Sequence, residues 1–351
     1  MNTPAPSPPR LPVDEVDHRA CGMTVRAATG TFHEGELALQ ERAGIGTRLA
    51  AAGPRVILKQ MPQQHRDFFA LLPFLITGTV DAQGQPWASV LVGQPGFVSA
   101  PSPGTLSVRS QPLAHDPLGR TLVAGAPIGL LGIEPQSRRR NRVNGHVARR
   151  DGDGFVVEVS QSFGNCPKYI QARRPEFVPG ALHLEPLAQR MDRLDAQAQA
   201  LIQDADTFFI ATAHPLAAQS DAPACGVDVS HRGGKPGFVR VDGGALLTVP
   251  DFSGNFFFNT LGNLLVNPRC GLLFIDFESG DLLYLAARGE IVHDGAELRA
   301  FHGAQRLLRL HLTTALRVRR ALPLRWGPVG PSPVLAGTGA WRQDFACFMP
   351  R

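Results

Sequence analysis

The decapeptide LLTVPDFSGN at residues 246–255, followed by FFFNTLGN at residues 256–263, is the stretch from which the fold and the function can be argued. The pattern predicts a strand that ends in Thr, Asp, Ser, Gly and Asn and then leads into a short helix begun by polar residues. Hydroxyls and free backbone N–H groups meet at such a point, which is how proteins hold phosphate. The alternative interpretation is an Asx-type turn and a helix cap without a ligand.

A similar succession of residues occurs earlier in the chain. DPLG at 116–119 precedes an apolar strand at 128–133, and NTLG at 259–262 precedes a strand at 271–277. Further matched pairs are Phe68-Phe69 with Phe208-Phe209, and the strand at 87–92 with the strand at 237–241. Most matched residues lie 140 to 143 positions apart. A collinear series of this kind predicts an internal duplication.

Most of each copy is predicted to be β-strand. Short runs rich in Val, Leu, Ile and Phe are separated by Gly, Pro, Asp and Asn turns, without the alternation of strands and helices that a parallel sheet requires. Regularly spaced short strands favour a barrel or a sandwich. Apolar residues at helical spacing predict three helices, at 34–52, 187–204 and 296–309.

The composition is that of a globular protein. The chain has 351 residues, of which 43% are hydrophobic and 19% charged, so it is long enough for two domains with a core each. No segment approaches the roughly 18 uninterrupted apolar residues of a membrane helix. The Pro-rich residues 1–12 lack the apolar run of a secretory signal. We therefore expect a soluble protein, cytoplasmic by default, with a disordered lead-in at residues 1–12.

The net charge and the motifs exclude some classes of function but do not identify one. The formal net charge of +5 suits a nucleic-acid binder and equally a protein that holds phosphorylated small molecules. The five cysteines are scattered, without a Cys-x-x-Cys pair, and no His-Glu-x-x-His spacing occurs among the 11 histidines, so no metal site is predicted. Gly-x-Ser-x-Gly, a complete Gly-x-Gly-x-x-Gly and a nucleotide-triphosphate loop are also absent from the sequence.

The densest basic cluster is RRRNR at 138–142. Its guanidinium groups are suited to bidentate contact with phosphate, either of a cofactor across a domain interface or of a nucleic acid. The alternative is a solvated strand edge. Lys168 either faces a bound cofactor or its substrate or is an ordinary loop lysine. The sequence places no base beside Cys166, so we do not expect a nucleophilic thiol, and no catalytic residue is predicted.

Four segments resemble the pyridoxamine 5′-phosphate oxidase-related flavoproteins. They are GVDVSHRGGKPGFV at 226–239, PDFSGN at 250–255, and NPR at 267–269 before GLLF at 271–274. In that family a strand, a turn with hydroxyl or basic residues, a short helix and an Asn-Pro that leads into the next strand build the FMN phosphate site. The resemblance covers residues 205–293.

The earlier copy resembles the family more weakly, through SFGNCPKYI at 162–170, and the two copies together cover residues 60–320. The resemblance implies a mainly β fold with minor α content: two tandem FMN-binding split β-barrels that form an intramolecular pseudo-dimer. The implied domain bounds are 1–60 for an N-terminal extension with one helix, 61–180 for the first barrel, 181–322 for the second barrel and 323–351 for a C-terminal tail.

The resemblance also implies a flavin site at the seam between the two barrels. The first copy is expected to contribute Trp87, Ser89, Arg140, Asn141, Arg142, Asn165 and Lys168. The second copy is expected to contribute His231, Arg232, Lys235, Arg240, Thr248, Asp251, Ser253, Asn255, Asn259 and Asn263. Where the family usually has a Ser-Arg-Lys group, this chain has SGN at 253–255, so the cation is expected from Arg232, Lys235 or Arg240.

The function that the resemblance implies is that of an FMN-dependent oxidoreductase, with FAD or haem as less favoured cofactors and a small-molecule substrate that the sequence does not identify. GAWRQDF at 339–345 resembles the junction at which larger relatives join a ferredoxin-reductase-like module. Electrons would then come from a separate reductase or directly from NAD(P)H. The alternative for this segment is a plain C-terminal strand.

Two other functions stay open at this point. One is a haem-binding or haem-degrading split barrel, and the other is a non-catalytic module that binds nucleotide or nucleic acid through its arginines. Nucleic acid is the less favoured partner. A homodimer is one expected assembly, and no membrane association is expected.

Overall fold

The computed structural model describes residues 28–180 and 185–341. The described chain is mainly β, as predicted, with antiparallel sheets and short helices. No helix in these two ranges is long and apolar enough to cross a membrane. The predicted lead-in at residues 1–12 and the part of the predicted tail that follows Trp341 lie outside the described residues.

The helices are short and lie mostly between the strands. In the described ranges they are α1 (Glu34–Arg42), α2 (Gly46–Val56), α3 (Gln63–Ala70), α4 (Leu118–Thr121), α5 (Ala196–Asp204), α6 (Asn259–Val266) and α7 (Ala296–Ala300).

Two helices stand where one was predicted over residues 34–52. Gly44 adopts a left-handed φ of +68°, and its N–H donates to the carbonyl of Glu41 at 2.8 Å. A left-handed glycine at this position ends an α-helix, so the chain begins a second helix at Gly46. The apolar periodicity of the sequence runs through this break and does not reveal it.

The other two predicted helices are only partly helical. In the range 187–204 the first residues form a strand, and the helix begins after Asp195, whose carboxylate accepts from the backbone N–H of Ala198 at 2.8 Å. In the range 296–309 the helix ends at Ala300 and a strand begins at Ala304. Pairing with neighbouring strands overrides the local helical preference at both places.

Seven antiparallel strands form the first large sheet. They are β1 (Phe74–Val80), β2 (Pro86–Val92), β3 (Val98–Ser102), β4 (Thr105–Val108), β5 (Pro127–Glu134), β6 (Arg139–Arg150) and β7 (Phe155–Gly164). Their spatial order is β2-β1-β5-β6-β7-β4-β3. The basic cluster at 138–142 therefore begins a strand in the interior of this sheet, between β5 and β7, and the alternative of a solvated strand edge is wrong.

The second half of the chain supplies the remaining strands. They are β8 (Pro175–Phe177), β9 (Leu187–Met191), β10 (Thr207–Ala213), β11 (Val227–Gly233), β12 (Arg240–Asp242), β13 (Leu246–Phe252), β14 (Arg269–Ile275), β15 (Leu282–Val292), β16 (Ala304–Arg319) and β17 (Leu324–Trp326). The second large sheet has the order β11-β10-β14-β15-β16-β13-β12, with β9 added against β16, and β8 pairs with β17 separately.

Strand for strand, the two large sheets have the same spatial order. Helices α3 and α5 precede the first strand of their sheets, and α4 and α6 each connect the fourth strand to the fifth. Both sheets are open ladders in the described residues, so their closure into barrels and their origin by duplication stay predictions. The counterpart of β2 is β11, so the predicted match between residues 87–92 and 237–241 is wrong.

The apolar side chains form three large cores. One lies within the first sheet and its helices, and one lies within the second sheet with α5 and α6. The third core is shared: Phe74 and Leu131 of the first sheet pack in it with Phe209, Leu273 and Tyr284 of the second. Strands β1, β2 and β5 thereby contact β10, β11 and β14. The candidate site lies at this contact.

Two glycines allow the sheets to approach this closely. A Cβ added at Gly129 of β5 would lie 2.7 Å from the carbonyl oxygen of Val227, and one added at Gly271 of β14 would lie closer still to the carbonyl oxygen of Pro86. In each case the obstacle is the backbone of the opposite sheet, which cannot swing aside as a side chain could. Both positions therefore require glycine.

Replacing Gly271 by alanine is expected to lower the free energy of unfolding by about 1 to 3 kcal/mol, as overpacking of a well-packed interior does. Gly152→Ala is the control, because a Cβ at Gly152 meets no atom within 4 Å, and its effect is expected to stay within about 0.5 kcal/mol. Urea denaturation of the two variants and the wild type measures the difference. Equal stability of the Gly271 variant and the wild type would contradict the close approach.

Candidate cofactor-binding site

A cavity opens at the contact between the two sheets. It encloses about 620 Å³ of space, part of it open to solvent. The first half of the chain contributes side chains from β6 and from the loop after β7, and the second half contributes β11, the end of β13, the start of α6 and β16. The lining residues are Arg140, Arg142, Asn165, Ser230, His231, Arg232, Asp251, Phe252, Gly254, Asn255, Phe256, Phe258, Asn259, Thr260, Leu261 and Arg306.

The loop between β13 and α6 holds its shape through strained backbone and side-chain hydrogen bonds. Phe256 and Phe258 both have φ of 63°, a left-handed conformation that is rare for bulky residues and costs of order 1 to 3 kcal/mol each. The side-chain oxygen of Asn255 accepts from the N–H of Phe257 at 3.1 Å, and its amide nitrogen donates to Asn165 at 3.2 Å. The second hydrogen bond joins the two halves of the chain across the cavity.

Helix α6 presents its first turn to the cavity. Asn259, Thr260 and Leu261 belong to the lining, and no side chain caps the helix at Phe258. The first N–H groups of a helix have no partner within it, and together with the helix dipole they favour an anion. The polar start of this helix, which the sequence indicated, thus lies at the site.

Arg142 of β6 is held at the centre of the seam by residues of the other sheet. It forms an ion pair with Asp228, donates to the hydroxyl of Ser230 at 2.6 Å and donates to the side-chain oxygen of Asn259 at 3.1 Å. Burial lowers the pKa of Arg142, and the nearby Asp228 opposes that shift. This arrangement fixes a buried positive charge in the wall of the cavity.

Arg140 lies beside a neutral histidine. Its Nε donates to the carbonyl of Cys166 at 2.8 Å, and its terminal NH1 group lies 3.4 Å from Nδ1 of His231. Burial, together with the charge of Arg142, lowers the pKa of Arg140 to about 9, so the group stays protonated near neutral pH. Burial and the charge of Arg140 lower the pKa of His231 well below its ordinary value. Because an arginine only donates, Nδ1 of His231 accepts and its proton lies on Nε2.

The opposite wall carries a second group of charges. Arg232 of β11 forms an ion pair with Asp251 of β13, and Nε of Arg306 lies 3.6 Å from the same carboxylate. The guanidinium of Arg306 also lies 4.9 Å from the ring centroid of Phe258. One carboxylate therefore serves two arginines, and both arginines line the cavity.

The charges around the cavity do not balance. Its four arginines are Arg140, Arg142, Arg232 and Arg306. In the described part of the chain, the carboxylates paired with them are Asp228 and Asp251. Positive groups thus exceed negative ones by two, and buried charges left uncompensated are costly. The excess indicates a site for an anion with about two charges.

A further buried carboxyl group, Glu36 of α1, stands behind Asn259. It accepts from the Asn259 amide and, at 2.9 Å, from the backbone N–H of His33. Burial raises the pKa of Glu36 to about 8, so it is largely neutral near pH 7 and does not cancel the positive excess. Its contact orients the Asn259 amide with the oxygen toward Arg142.

Helix α1 reaches the site because it packs closely on α6. A Cβ added at Gly262 of α6 would lie 2.7 Å from the backbone nitrogen of Glu36, so the two helices touch through backbone. The side-chain amide of Gln40 donates to the carbonyl of Phe257 at 3.3 Å. The N-terminal extension therefore supports the loop and the helix start that line the cavity.

The structure brings eight of the predicted site residues together in the lining. They are Arg140, Arg142, Asn165, His231, Arg232, Asp251, Asn255 and Asn259. Of the cations considered to replace the family's Ser-Arg-Lys group, Arg232 is the one that lines the cavity.

The other nine predicted residues lie outside the lining. They are Trp87, Ser89, Asn141, Lys168, Lys235, Arg240, Thr248, Ser253 and Asn263. Arg240 pairs with Asp242 and Glu297 and lies 3.4 Å from the hydroxyl of Thr248. Lys235 donates to the carbonyl of Thr338 at 2.6 Å.

Trp87 and Ser89 lie on β2, in the first sheet, and make contacts of their own. The indole N–H of Trp87 donates to Asp81 at 3.0 Å, and the hydroxyl of Ser89 donates to Asp116 at 2.5 Å. Asn263 donates to the hydroxyl of Thr212 at 3.1 Å.

The remaining three residues lie close in sequence to lining residues. Asn141 is buried on β6, between Arg140 and Arg142, and Lys168 is half-buried in the loop after β7. The carbonyl of Ser253 accepts from the Tyr169 hydroxyl at 3.2 Å.

Several residues of the site were not predicted. Ser230, Phe252, Gly254, Phe256, Phe258, Thr260, Leu261 and Arg306 line the cavity, and Asp228 and Glu36 stand behind it. Alternation along β11 could have revealed Asp228 and Ser230, because residues 228, 230 and 232 share one face of a strand. Arg306 was hidden within a predicted helix, and no sequence signal points to Glu36.

A histidine cluster near α1 has the composition of a metal site but the wrong proton positions. Nδ1 of His33 accepts from the N–H of Gly35, and Nδ1 of His214 accepts from the N–H of Leu216, both at 3.2 Å. Each neutral ring therefore carries its proton on Nε2, and in His214 this atom lies 3.2 Å from the carboxylate of Glu34. A protonated nitrogen has no lone pair for a metal, so these hydrogen bonds disfavour one.

Comparison with known proteins identified no matching family model and no matching curated protein. Several solved structures are similar over part of the chain. A putative pyridoxamine 5′-phosphate oxidase from Lactobacillus delbrueckii has a TM-score of 0.27 and 14% identity, covering 36% of this chain and 94% of that one. HutZ, a haem storage protein from Vibrio cholerae, has a TM-score of 0.25 and 17% identity, covering 36% and 95%.

A third similar structure is an FAD-binding protein from Mesorhizobium loti, with a TM-score of 0.24 and 14% identity, covering 38% of this chain and 98% of that one. Similarities of this size support no inference about what the present chain binds.

The raised pKa of Glu36 makes a prediction about stability. The folded chain keeps a proton that the unfolded chain loses above its ordinary pKa of 4.5. The wild type is therefore expected to lose stability as the pH rises from about 4.5 to about 8, by up to about 1.4 kcal/mol per pH unit. Glu36→Gln lacks this loss, so its free energy of unfolding relative to that of the wild type should increase from pH 5 to pH 8.

Urea denaturation at several pH values measures this difference. Glu41→Gln, at an exposed position of the same helix, is the control and should keep the pH dependence of the wild type. A constant difference between Glu36→Gln and the wild type across the range would show that Glu36 is not a buried neutral acid.

Proposed function

We propose that this chain binds FMN in the cavity between its two sheets and works as a flavin-dependent oxidoreductase on a small-molecule substrate. One observation carries the proposal: four arginines meet there with only two paired carboxylates among the described residues. A phosphate monoester carries about 1.5 to 2 negative charges near pH 7, which matches this excess.

The residues fit a phosphate better than they fit a simple counter-ion. Asp251 has two arginine neighbours, Arg232 and Arg306, so these guanidinium groups keep hydrogen-bonding capacity for a further anion. The first turn of α6 adds backbone N–H groups at the same cavity. We therefore assign the phosphate to the wall formed by Arg232, Arg306 and the start of α6.

The remaining lining suits a planar ring system. Phe252, Phe256 and Phe258 supply aromatic surface, and Asn165, Asn255 and Thr260 supply groups that donate and accept hydrogen bonds. An isoalloxazine ring, when bound, supplies the hydride or electron transfer. The residues of this chain then bind and orient the ring, hold Arg140 as a fixed positive charge and keep a proton on Nε2 of His231.

Haem is the second cofactor to consider, since its two carboxylates would also satisfy a double positive excess. The cavity offers one histidine among its lining residues, His231. The contact with Arg140 at 3.4 Å places its proton on Nε2, so that atom has no lone pair for iron, and Nδ1 faces the arginine. The arrangement therefore favours flavin.

A nucleic-acid module is disfavoured by the depth of the arginines. Arg142 is 4% exposed, and burial lowers the pKa of both Arg140 and Arg142. Nucleic-acid backbones are contacted by side chains that extend from the surface. A recessed cavity suits the phosphate of a small molecule.

Removing a phosphate ligand should weaken FMN binding. Arg232→Gln is expected to raise the Kd for FMN by roughly 10- to 150-fold, because a hydrogen bond to a charged group contributes about 1.5 to 3 kcal/mol. Arg299→Gln is the matched control: this arginine of α7 is exposed, pairs with Asp294 and does not belong to the lining. Quenching of flavin fluorescence on titration with each protein measures the Kd. Equal affinity of Arg232→Gln and the wild type would place the phosphate elsewhere.

The oxidoreductase part of the proposal requires that bound flavin be reducible. Mixing the FMN-loaded protein with NADH or NADPH in a stopped-flow instrument should bleach the flavin absorption if electrons come directly from the nicotinamide. Bleaching that begins only after a reductase is added would indicate a protein partner. Absence of reduced flavin under both conditions would contradict oxidoreductase activity while leaving FMN binding intact.

A further inference from the structure

The centre of the proposed site is a hydrogen-bonded group of three side chains from three elements. Arg142 of β6 donates to the hydroxyl of Ser230 on β11 at 2.6 Å and to the oxygen of Asn259 at the start of α6 at 3.1 Å. We call Arg142, Ser230 and Asn259 the open triad, because all three line the cavity.

The contact between the two sheets contains a second set of residues at the equivalent positions. Gly129 on β5 and Gly271 on β14 occupy the same place in their sheets, each against the backbone of the opposite sheet. The residue two positions after Gly129 in β5 pairs with Arg142, and the residue two positions after Gly271 in β14 pairs with Tyr284. Tyr284 is therefore the positional equivalent of Arg142.

The same registers identify the other two equivalents. Ser89 of β2 pairs with the residue of β1 that precedes the partner of Gly129. In the same way, Ser230 of β11 pairs with the residue of β10 that precedes the partner of Gly271. In the sequence, DPLG at 116–119 and NTLG at 259–262 lead into α4 and α6, so Asp116 corresponds to Asn259.

These three residues also bond to one another, but around a negative group. The hydroxyl of Tyr284 donates to Asp116 at 2.8 Å, and that of Ser89 donates to the other oxygen of the same carboxylate at 2.5 Å. The backbone N–H of Leu118 donates to Asp116 at 2.8 Å. Tyr284 is 1% exposed and Ser89 is fully buried. We call Tyr284, Ser89 and Asp116 the closed triad.

The two triads differ in charge at the positions that decide whether an anion can bind. An arginine in the open triad is replaced by a neutral tyrosine in the closed one, and an amide is replaced by a carboxylate. An anionic cofactor at the closed triad would meet the buried carboxylate of Asp116, whose hydrogen-bond donors among the described residues are the hydroxyls of Tyr284 and Ser89 and the backbone N–H of Leu118. The like charges would repel each other, which is strongly unfavourable. The ring of Tyr284 also belongs to the shared core between the sheets.

We propose that the chain holds one anionic cofactor, at the open triad, and that the equivalent position at the contact between the two halves is permanently closed by Tyr284, Asp116 and Ser89. This inference rests on the proposed FMN binding. At the closed triad, the carboxylate of Asp116 has the position that the amide of Asn259 has at the cofactor site. The closed triad also links the two sheets, since Asp116 and Tyr284 belong to different halves.

Isothermal titration of the full chain with FMN at pH 7.5 tests the inference through the stoichiometry. One FMN per chain is expected for the wild type and also for Tyr284→Phe, which removes the hydroxyl but keeps the ring. Arg232→Gln, at the cavity wall, should weaken the whole binding isotherm by roughly 10- to 150-fold and leave no residual tight phase.

Two FMN molecules per chain, or an isotherm of Arg232→Gln in which a tight phase and a weakened phase coexist, would overturn the single-site inference while FMN binding itself stands. Failure of the wild type to bind FMN at all would overturn the proposed function and the inference with it. Circular dichroism of Tyr284→Phe verifies that the variant is folded. If it unfolds, the wild-type stoichiometry and the Arg232→Gln isotherm still decide the question.

Discussion

The close contact between the two sheets is the constraint on which the rest of the structure depends. Strands β1, β2 and β5 pack against β10, β11 and β14, and backbone meets backbone at Gly129 and Gly271. Because side chains are missing at these two points, neighbouring residues of the opposite sheets come within hydrogen-bonding distance. Arg142 can thereby reach Asp228, Ser230 and Asn259 from the other half of the chain.

The same contact produces two equivalent positions, which differ in their charge and in their access to a cavity. One position has a buried arginine, an excess of positive charge and a cavity. The other has a tyrosine and a carboxylate and belongs to the core. A structural carboxylate in such a place contributes hydrogen bonds across the interface but costs desolvation, which raises the pKa of Asp116 to about 6. The two halves thus share an arrangement of strands while their interface chemistry differs.

The loop at 252–258 shows how the fold supports a strained site. Two phenylalanines hold left-handed backbone conformations, and they persist because surrounding contacts fix the loop from several sides. Helix α1 contributes Gln40 and Glu36 to that support. A segment that is remote in sequence therefore helps to keep the first turn of α6 directed at the cavity.

The sequence by itself determined the strand-rich character of the chain, the succession of similar segments and the turn at 250–255, because alternation, glycine and proline act locally. It also predicted Arg140, Arg142, Arg232 and Asn259 as site residues, and the structure places all four in the cavity lining. Only the tertiary structure decided that Arg306 lies on a strand and not on a helix, that Glu36 stands behind Asn259, and that Ser89 bonds to Asp116 outside the cavity lining. These outcomes depend on which strands pair and how closely two sheets approach. Such contacts join residues that are far apart in the sequence, such as Glu36 and Asn259, and no local pattern connects them.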